Sequence, residues 1–143
     1  MRLEILTIDR KVFDDDIDAV TVPAIDGVIT VLPRHVPLMT ALGLGELRIR
    51  KGEELIPMVV GWGIMQVNPQ HVFILADIAE RAEDIDEAKA EEAKRKAEKL
   101  LEQKTTEKDF VKAEASFRQE LTRLKLVRKY RPKKRPAPGT FTQ

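Results

Sequence analysis

Over the first eighty residues, apolar and polar positions fall into short strand-like runs; after that the spacing turns helical. Leu3-Glu4-Ile5-Leu6-Thr7-Ile8 is short and apolar-rich, and Ile17 to Val22 alternates in part, with Asp18 and Thr21 set to face outward. Leu47-Arg48-Ile49-Arg50 alternates cleanly, which is the period of a half-buried strand. Leu55 to Val60 and Val72 to Ala76 are apolar runs rich in β-branched residues. Turn signals separate these runs at Asp26-Gly27, Gly43-Leu44-Gly45, Lys51-Gly52 and Asn68-Pro69. Short strands at this spacing predict an all-β sandwich or barrel.

From about residue 82 to 103 the chain is built of Ala, Glu, Lys and Leu without Gly or Pro, and Ala90, Ala93, Ala97 and Leu100/Leu101 recur at helical spacing. Asp84, followed by Glu87 three residues later, reads as a capping box. Lys104 to Lys108 is a polar break, and a second helix follows with Phe110, Ala113, Phe117, Leu121, Leu124 and Val127 as its apolar stripe. Two amphipathic helices with a short break between them predict an antiparallel hairpin. Its first stripe is mostly alanine, which buries little area, so the hairpin is expected to be weakly held and mobile. The fold class is therefore α+β, with a β domain over residues 1–83, a helical hairpin over 84–130, and a disordered basic tail over 131–143 that carries three prolines and a Lys/Arg cluster.

Composition narrows the chemistry. The 143 residues contain no cysteine, which removes disulfides, thiolate metal sites and a cysteine nucleophile together. No apolar run approaches the ~20 residues of a membrane span, and the first residues lack signal-peptide architecture, so the chain is expected to be soluble and held at any membrane only by partner chains. The net charge of +1 hides an asymmetry: residues 1–80 carry a net −5, 81–103 a net −2 and 104–143 a net +8. A basic arm on an acidic body seeks acidic protein, nucleic acid or lipid headgroups.

Catalysis finds little support. Ser116 is the single serine and lies in the second helix, with neither His35 nor His71 near it in sequence. Neither histidine has metal-ligand spacing, and no metal site is expected. Asp14-Asp15-Asp16 lacks the spacing and glycine of a calcium loop and reads as a solvated turn. Gly61-Trp62-Gly63 and Gly43-Leu44-Gly45 lack the strand–glycine–helix context of a phosphate loop and read as bulge or turn glycines. The segment Val31-Leu32-Pro33-Arg34-His35-Val36-Pro37-Leu38, stiffened by two prolines, is either a docking edge or an ordinary loop. Asp86 and Lys89 are i,i+3 neighbours, which on spacing alone is a helix-end carboxylate and a surface pair.

Three stretches carry a family resemblance. Val31 to Leu42 is similar to the signature LPGHAPLLTAL, and Leu75-Ala76-Asp77-Ile78-Ala79-Glu80-Arg81-Ala82-Glu83-Asp84-Ile85-Asp86 is similar to LADTAERAEDID. Ala88-Lys89-Ala90 and Glu92-Ala93-Lys94-Arg95-Lys96-Ala97-Glu98 continue the match into the first helix. Over roughly residues 3–127 the chain resembles the epsilon subunit family of bacterial and chloroplast F-type ATP synthases. Arg34 stands where that family usually has glycine, and Gly61-Trp62-Gly63-Ile64 replaces its SGGF.

The resemblance implies a non-catalytic central-stalk subunit with a flattened N-terminal β-sandwich. It implies that Pro33, His35, Pro37 and Leu38 face the gamma subunit, and that a loop at Gly27, Val28, Ile29 and Thr30 faces the c-subunit ring. The hairpin would switch between a compact form and an extended form that opposes ATP hydrolysis. Its basic second helix (Arg118, Arg123, Lys125, Arg128) would meet the catalytic alpha and beta subunits, an attraction that salt weakens. The location implied is peripheral, on the cytoplasmic face of the bacterial plasma membrane.

Some members bind ATP on the hairpin through I/L-D-x-x-R-A, which here reads Ile85-Asp86-Glu87-Ala88-Lys89-Ala90. The corresponding site would be Glu80, Ile85, Asp86, Lys89, Ala90 and Arg123. Lys89 keeps the charge of the motif's arginine but loses its bidentate fork. Two further arginines of the ATP-binding members are Lys96 and Gln119 here. Weak or absent ATP binding is expected, and no cofactor. The rival reading from another class is a nucleic-acid-binding module with a basic helical arm. Single-strand recognition also wants aromatics interleaved with the charge, and the basic region offers only Tyr130, with Phe141 at the far end.

Overall fold

The structure is a computed structural model that describes residues 1–103 and 106–130. Eight strands come first: β1 (Arg2–Leu6), β2 (Lys11–Asp16), β3 (Ala19–Ala24), β4 (Gly27–Val31), β5 (Leu38–Leu42), β6 (Gly45–Lys51), β7 (Glu54–Val67) and β8 (His71–Arg81). A 3-10 turn (Ala82–Asp84) leads into α1 (Glu87–Glu102) and α2 (Glu107–Tyr130). The tail 131–143, and Lys104 and Thr105 of the expected break, lie outside the described residues.

One sheet folds over itself to make the sandwich. The hydrogen-bonded order is β2-β1-β8-β7-β5-β3-β4, with β6 pairing both β3 and β7. The long strand β7 makes this possible. Its first half pairs with β6, as Gly45 with Val60, and its second half pairs with β5, as Leu42 with Gly63. The change of partner falls at Gly61-Trp62-Gly63. Trp62 adopts a left-handed φ of 48°, and a Cβ on Gly63 would lie 2.3 Å from the Leu75 carbonyl oxygen. Gly63 is therefore needed at a strand bend, as the reading of these residues as bulge glycines suggested.

Leu3, Ile5, Leu47, Ile49, Met58, Met65 and Ile74 are fully buried between the layers. Within each straight stretch they come from alternate positions, which is how a pleated strand sends one face to the core, and on β7 the core-facing set changes from Met58 and Val60 to Met65 and Val67 across the bend.

Three strands differ from the expected pattern. The Asp14–Asp16 run is not a turn: it ends β2 and pairs with β1, Arg2 opposite Asp16 and Glu4 opposite Asp14. Neighbouring cations make three carboxylates tolerable there. Asp14 is 2.7 Å from Arg2 and 3.1 Å from Lys11, and Asp15 pairs with Lys51. These cations hold both carboxyls below their ordinary pKa, led by the bond from Arg2 for Asp14 and from Lys51 for Asp15. Residues 27–30 form strand β4 rather than a loop, in register with β3 from Gly27 opposite Ala24 to Val31 opposite Val20. The third strand the alternation did not pick out is β5, which begins at Leu38, directly after Pro37.

The helices also refine the expectation. Asp86, not Asp84, caps α1, its carboxylate accepting from the Lys89 backbone N–H at 3.1 Å. Ile85 is buried and extended, with ψ 125°, so the chain must turn again before the helix can start. Ala90 and Ala97 are buried as the alanine stripe predicts, but Leu100 is half exposed. On α2 the buried side chains are Ala113, Glu120, Leu124, Leu126 and Val127, while Phe110 is exposed. Ala113, Leu124 and Val127 keep to the expected stripe with Phe117 and Leu121 half-buried, and Leu126 is added because the last turns of α2 also touch the sandwich. Leu126 and Val127 join Val59, Ala82 and Ile85 in a second, small core edged by Leu44, Ile78 and Tyr130.

Candidate docking surfaces and hairpin pocket

The outer face of the β1-β8-β7-β5 layer carries many exposed apolar side chains, and none of the described residues covers it. Two cross-strand rows run over it. One is Glu4, Phe73, Gln66 and Met39; the other is Leu6, Leu75, Ile64 and Ala41. Met39 is 66% exposed, Ile64 53% and Leu75 46%. A shallow hollow of about 370 Å³, lined by Ile8, Trp62, Ile64 and Leu75 among others, ends the second row. Contiguous exposed apolar surface marks an interaction site. The signal was present in the sequence: Val72 to Ala76 is an unbroken apolar run, and such a run belongs to a strand covered on both faces.

The two sets of residues that the resemblance expects to face partners lie at opposite ends of β4. At one end is the β3–β4 turn, where Ile25 and Val28 are each 69% exposed. Ile29 packs against the core, and the Thr30 hydroxyl bonds that of Thr21 at 2.9 Å, so only Gly27 and Val28 of that set stand at the tip. At the other end is the Leu32–Pro37 loop. Arg34 there adopts φ 65°, a conformation glycine takes more readily, and it keeps the turn: its N–H donates to the Pro69 carbonyl at 3.1 Å. His35 donates from Nδ1 to the Val36 carbonyl at 2.7 Å and its N–H reaches the Leu32 carbonyl. Pro33, Val36 and Pro37 are exposed, whereas His35 and Leu38 are half-buried.

The six expected hairpin residues converge. Glu80, Ile85, Asp86, Lys89, Ala90 and Arg123 all line one cavity of about 340 Å³, with Asp84, Ala93 and Glu120 completing it. Four carboxylates there face two cations. Arg123 is already engaged: Nη1 meets Glu120 Oε1 at 2.8 Å, and Nε lies 3.1 Å from Glu80 Oε2, out of line for a hydrogen bond. Sequence reasoning missed Glu120, because a lone glutamate in a charged helix reads as solvated surface. Burial raises its pKa above the ordinary value, and Arg123 offsets this only in part.

The basic residues of α2 are mostly neutralised within the chain. Arg118 pairs with Glu114, Arg128 with Glu87 and Glu91 of α1, and Lys125 is exposed. At the end of α2, Lys129 meets Glu46 of β6 at 2.9 Å and the Tyr130 hydroxyl donates to the same carboxylate. Burial opposes the Glu46 charge, but these two bonds outweigh it and hold its pKa below the ordinary value. Among the described residues no group of three or more His, Asp and Glu is arranged to hold a metal ion, and no helix is long and apolar enough to cross a membrane.

Comparison with known proteins agrees along nearly the whole chain. The family model described as ATP synthase, delta/epsilon chain, beta-sandwich domain matches residues 1–82, and that of the long alpha-helix domain matches residues 83–128. The ATP synthase epsilon chain of Chloroflexus aggregans is 45% identical over 135 residues, which is 94% of this chain and 97% of the relative. That of Dehalococcoides mccartyi is 44% identical over 132 residues, 92% and 94% of the two chains. A chain in the mitochondrial ATP synthase of Euglena gracilis (OSCP/F1/c-ring) shares the fold, with TM-score 0.70 and 24% identity over 82% of this chain and 76% of that one.

Proposed function

The chain belongs to the ATP synthase delta/epsilon family and is an epsilon subunit of an F-type ATP synthase, and from that premise we propose that it is a non-catalytic rotor subunit that couples ion flow through the membrane ring to ATP synthesis and restrains ATP hydrolysis with its hairpin. The observation that carries the reading is the uncovered apolar face around Ile64, Leu75 and Met39, on a sandwich whose interior is already filled by its own strands. A face of this kind docks a permanent neighbour. The gamma subunit is that neighbour, with the loop of Pro33, His35, Pro37 and Leu38 at its margin. The exposed tip of Gly27 and Val28 rests on the c-ring, at the other end of β4. The protein is peripheral, on the cytoplasmic face of the bacterial plasma membrane, and reaches the membrane only through these partners; nucleic acid is not a partner.

The hairpin is the moving part. The structure holds it compact, fixed to the sandwich by the last turns of α2. Extended, α1 and α2 span about 24 and 36 Å at 1.5 Å per residue, which is far enough to run up the stalk. Opening frees Arg123 and Arg128 from Glu80, Glu87 and Glu91, and these cations with Arg118 and Lys125 then meet acidic segments of the catalytic subunits. The hairpin cavity does not serve as an ATP site: Arg123 is engaged by two carboxylates, and the surplus of negative charge repels phosphates.

Gamma binding tests the docking face. Ile64→Glu with Leu75→Glu places two charges on that face while leaving the core untouched. Titration of the purified gamma subunit should show at least a hundredfold loss of affinity, with the variant's thermal unfolding unchanged. Undiminished binding would put gamma elsewhere.

A further inference from the structure

Glu120 is the one charged side chain buried among the described residues, with 6% of its surface exposed. It lies where three elements meet. From β8 Glu80 faces it, from the 3-10 turn Asp84, from the cap of α1 Asp86, from α1 Lys89, and from its own helix Arg123. Arg123 is shared between Glu120 and Glu80, and its Nε has no hydrogen-bond acceptor in line. One guanidinium therefore serves two carboxylates, in a cavity that holds two more acids and one further cation. A buried carboxylate with half a partner is costly to ionise. Proton uptake by the carboxyl removes that cost and leaves Arg123 to Glu80 alone.

We propose that Glu120 is a proton-sensitive latch of the hairpin: the docked hairpin is tightened when this carboxyl takes up a proton and loosened when it ionises. This deepens the regulatory reading and rests on it for its biological meaning, since it concerns the element taken there to leave the sandwich. The sign follows from linkage. Burial raises the Glu120 pKa in the docked state above the ordinary value. Docking therefore gains strength as pH falls through the interval between the docked value and the ordinary one, and loses it as pH rises through the same interval. Asp14, Asp15 and Glu46, all shifted downward, weaken the fold on acidification only below the ordinary range, so the two effects occupy separate pH windows.

The test uses the full chain. It has no cysteine, so Asp77→Cys on β8 and Lys125→Cys on α2, both exposed positions, accept a fluorescent donor and acceptor. Urea titrations of energy transfer at a series of pH values give the midpoint at which the hairpin leaves the sandwich. In the parent chain this midpoint should rise as pH falls toward the ordinary carboxylate range. With Glu120→Gln it should be higher at neutral pH and flat over that range. The docking constant of the variant should exceed the parent's at neutral pH by about tenfold for each unit by which the docked pKa stands above its ordinary value. Midpoints of parent and variant that run parallel with pH, or a variant looser at every pH, would overturn the proposal. Should Glu120→Gln fail to fold, the side-chain carboxyl of Glu120 in the parent is followed by carbon NMR. A titration above the ordinary range supports the latch, and one at or below it refutes it. The isolated chain answers this without the enzyme, so a pH response here combined with no inhibition of hydrolysis would reject the regulatory reading and keep the latch.

Discussion

The sandwich and the hairpin are held together by different physics. Eighteen buried apolar side chains fill the sandwich, most of them branched or long. Five fill the joint between hairpin and sandwich, one of them an alanine. Along the hairpin itself an open groove of about 550 Å³ runs between the helices, lined by Ala93, Ala97, Leu100, Ala113 and Ser116 among others. Polar contacts make up the rest of the joint: Arg123 between Glu80 and Glu120, and Glu46 with Lys129 and Tyr130. One chain thus fills one region with large apolar side chains and fastens the other with a smaller apolar core and a few polar contacts, the difference that the proposed detachable arm requires. Low-stability elements of this kind are the ones that move in switching proteins.

The comparison breaks first in the sandwich. Leu47 is fully buried, and Leu47→Ala should cost about 2–5 kcal/mol. Urea unfolding followed by circular dichroism should show strands and helices lost together. Leu126 is nearly as buried but lies in the joint. Leu126→Ala should cost the joint about 2–4 kcal/mol, and hydrogen exchange should show the α2 amides opening early while those of β7 and β8 keep their protection.

Smaller changes sharpen the picture at single contacts. Arg123→Ala leaves Glu120 buried without its partner and should weaken docking by about 1–3 kcal/mol, read as a lower urea midpoint of hairpin release. Glu46→Gln removes the charge that Lys129 and Tyr130 share and should weaken docking by about 1 kcal/mol, with the sandwich unaffected. The smallest effect is that of acid on the sandwich itself. Asp14 and Asp15 titrate below the ordinary range because Arg2, Lys11 and Lys51 hold them ionised. Their contribution is complete above that range and is lost as pH falls through their depressed values, so neutralising Lys51 with Lys51→Met should flatten the acid limb of the stability curve.

Much of this division was legible in the sequence. The change from strand-like runs to alanine-rich helical spacing marked both regions, and the four motif residues Ile85, Asp86, Lys89 and Ala90, with Glu80 and Arg123 taken from the family resemblance, line one cavity. Other features were not, for definable reasons. β2 was hidden because three aspartates oppose strand formation unless cations on other strands neutralise them, and Lys51 lies 36 residues away. β4 and β5 flank a proline-stiffened loop, so local punctuation masked strands whose pairing is settled by tertiary context. The α2 stripe missed Leu126 because its burial depends on Val59 and Ile85 rather than on α1. Glu120 was invisible for the same reason: its burial is decided by the meeting of β8, α1 and α2.

The most direct measurement is ATP hydrolysis by a catalytic head carrying gamma, with either the full chain or a chain ending at Glu83 added. The account predicts that both bind and that only the full chain slows hydrolysis, because the sandwich docks and the hairpin restrains. Equal hydrolysis with the two, once both are shown to be bound, would contradict it.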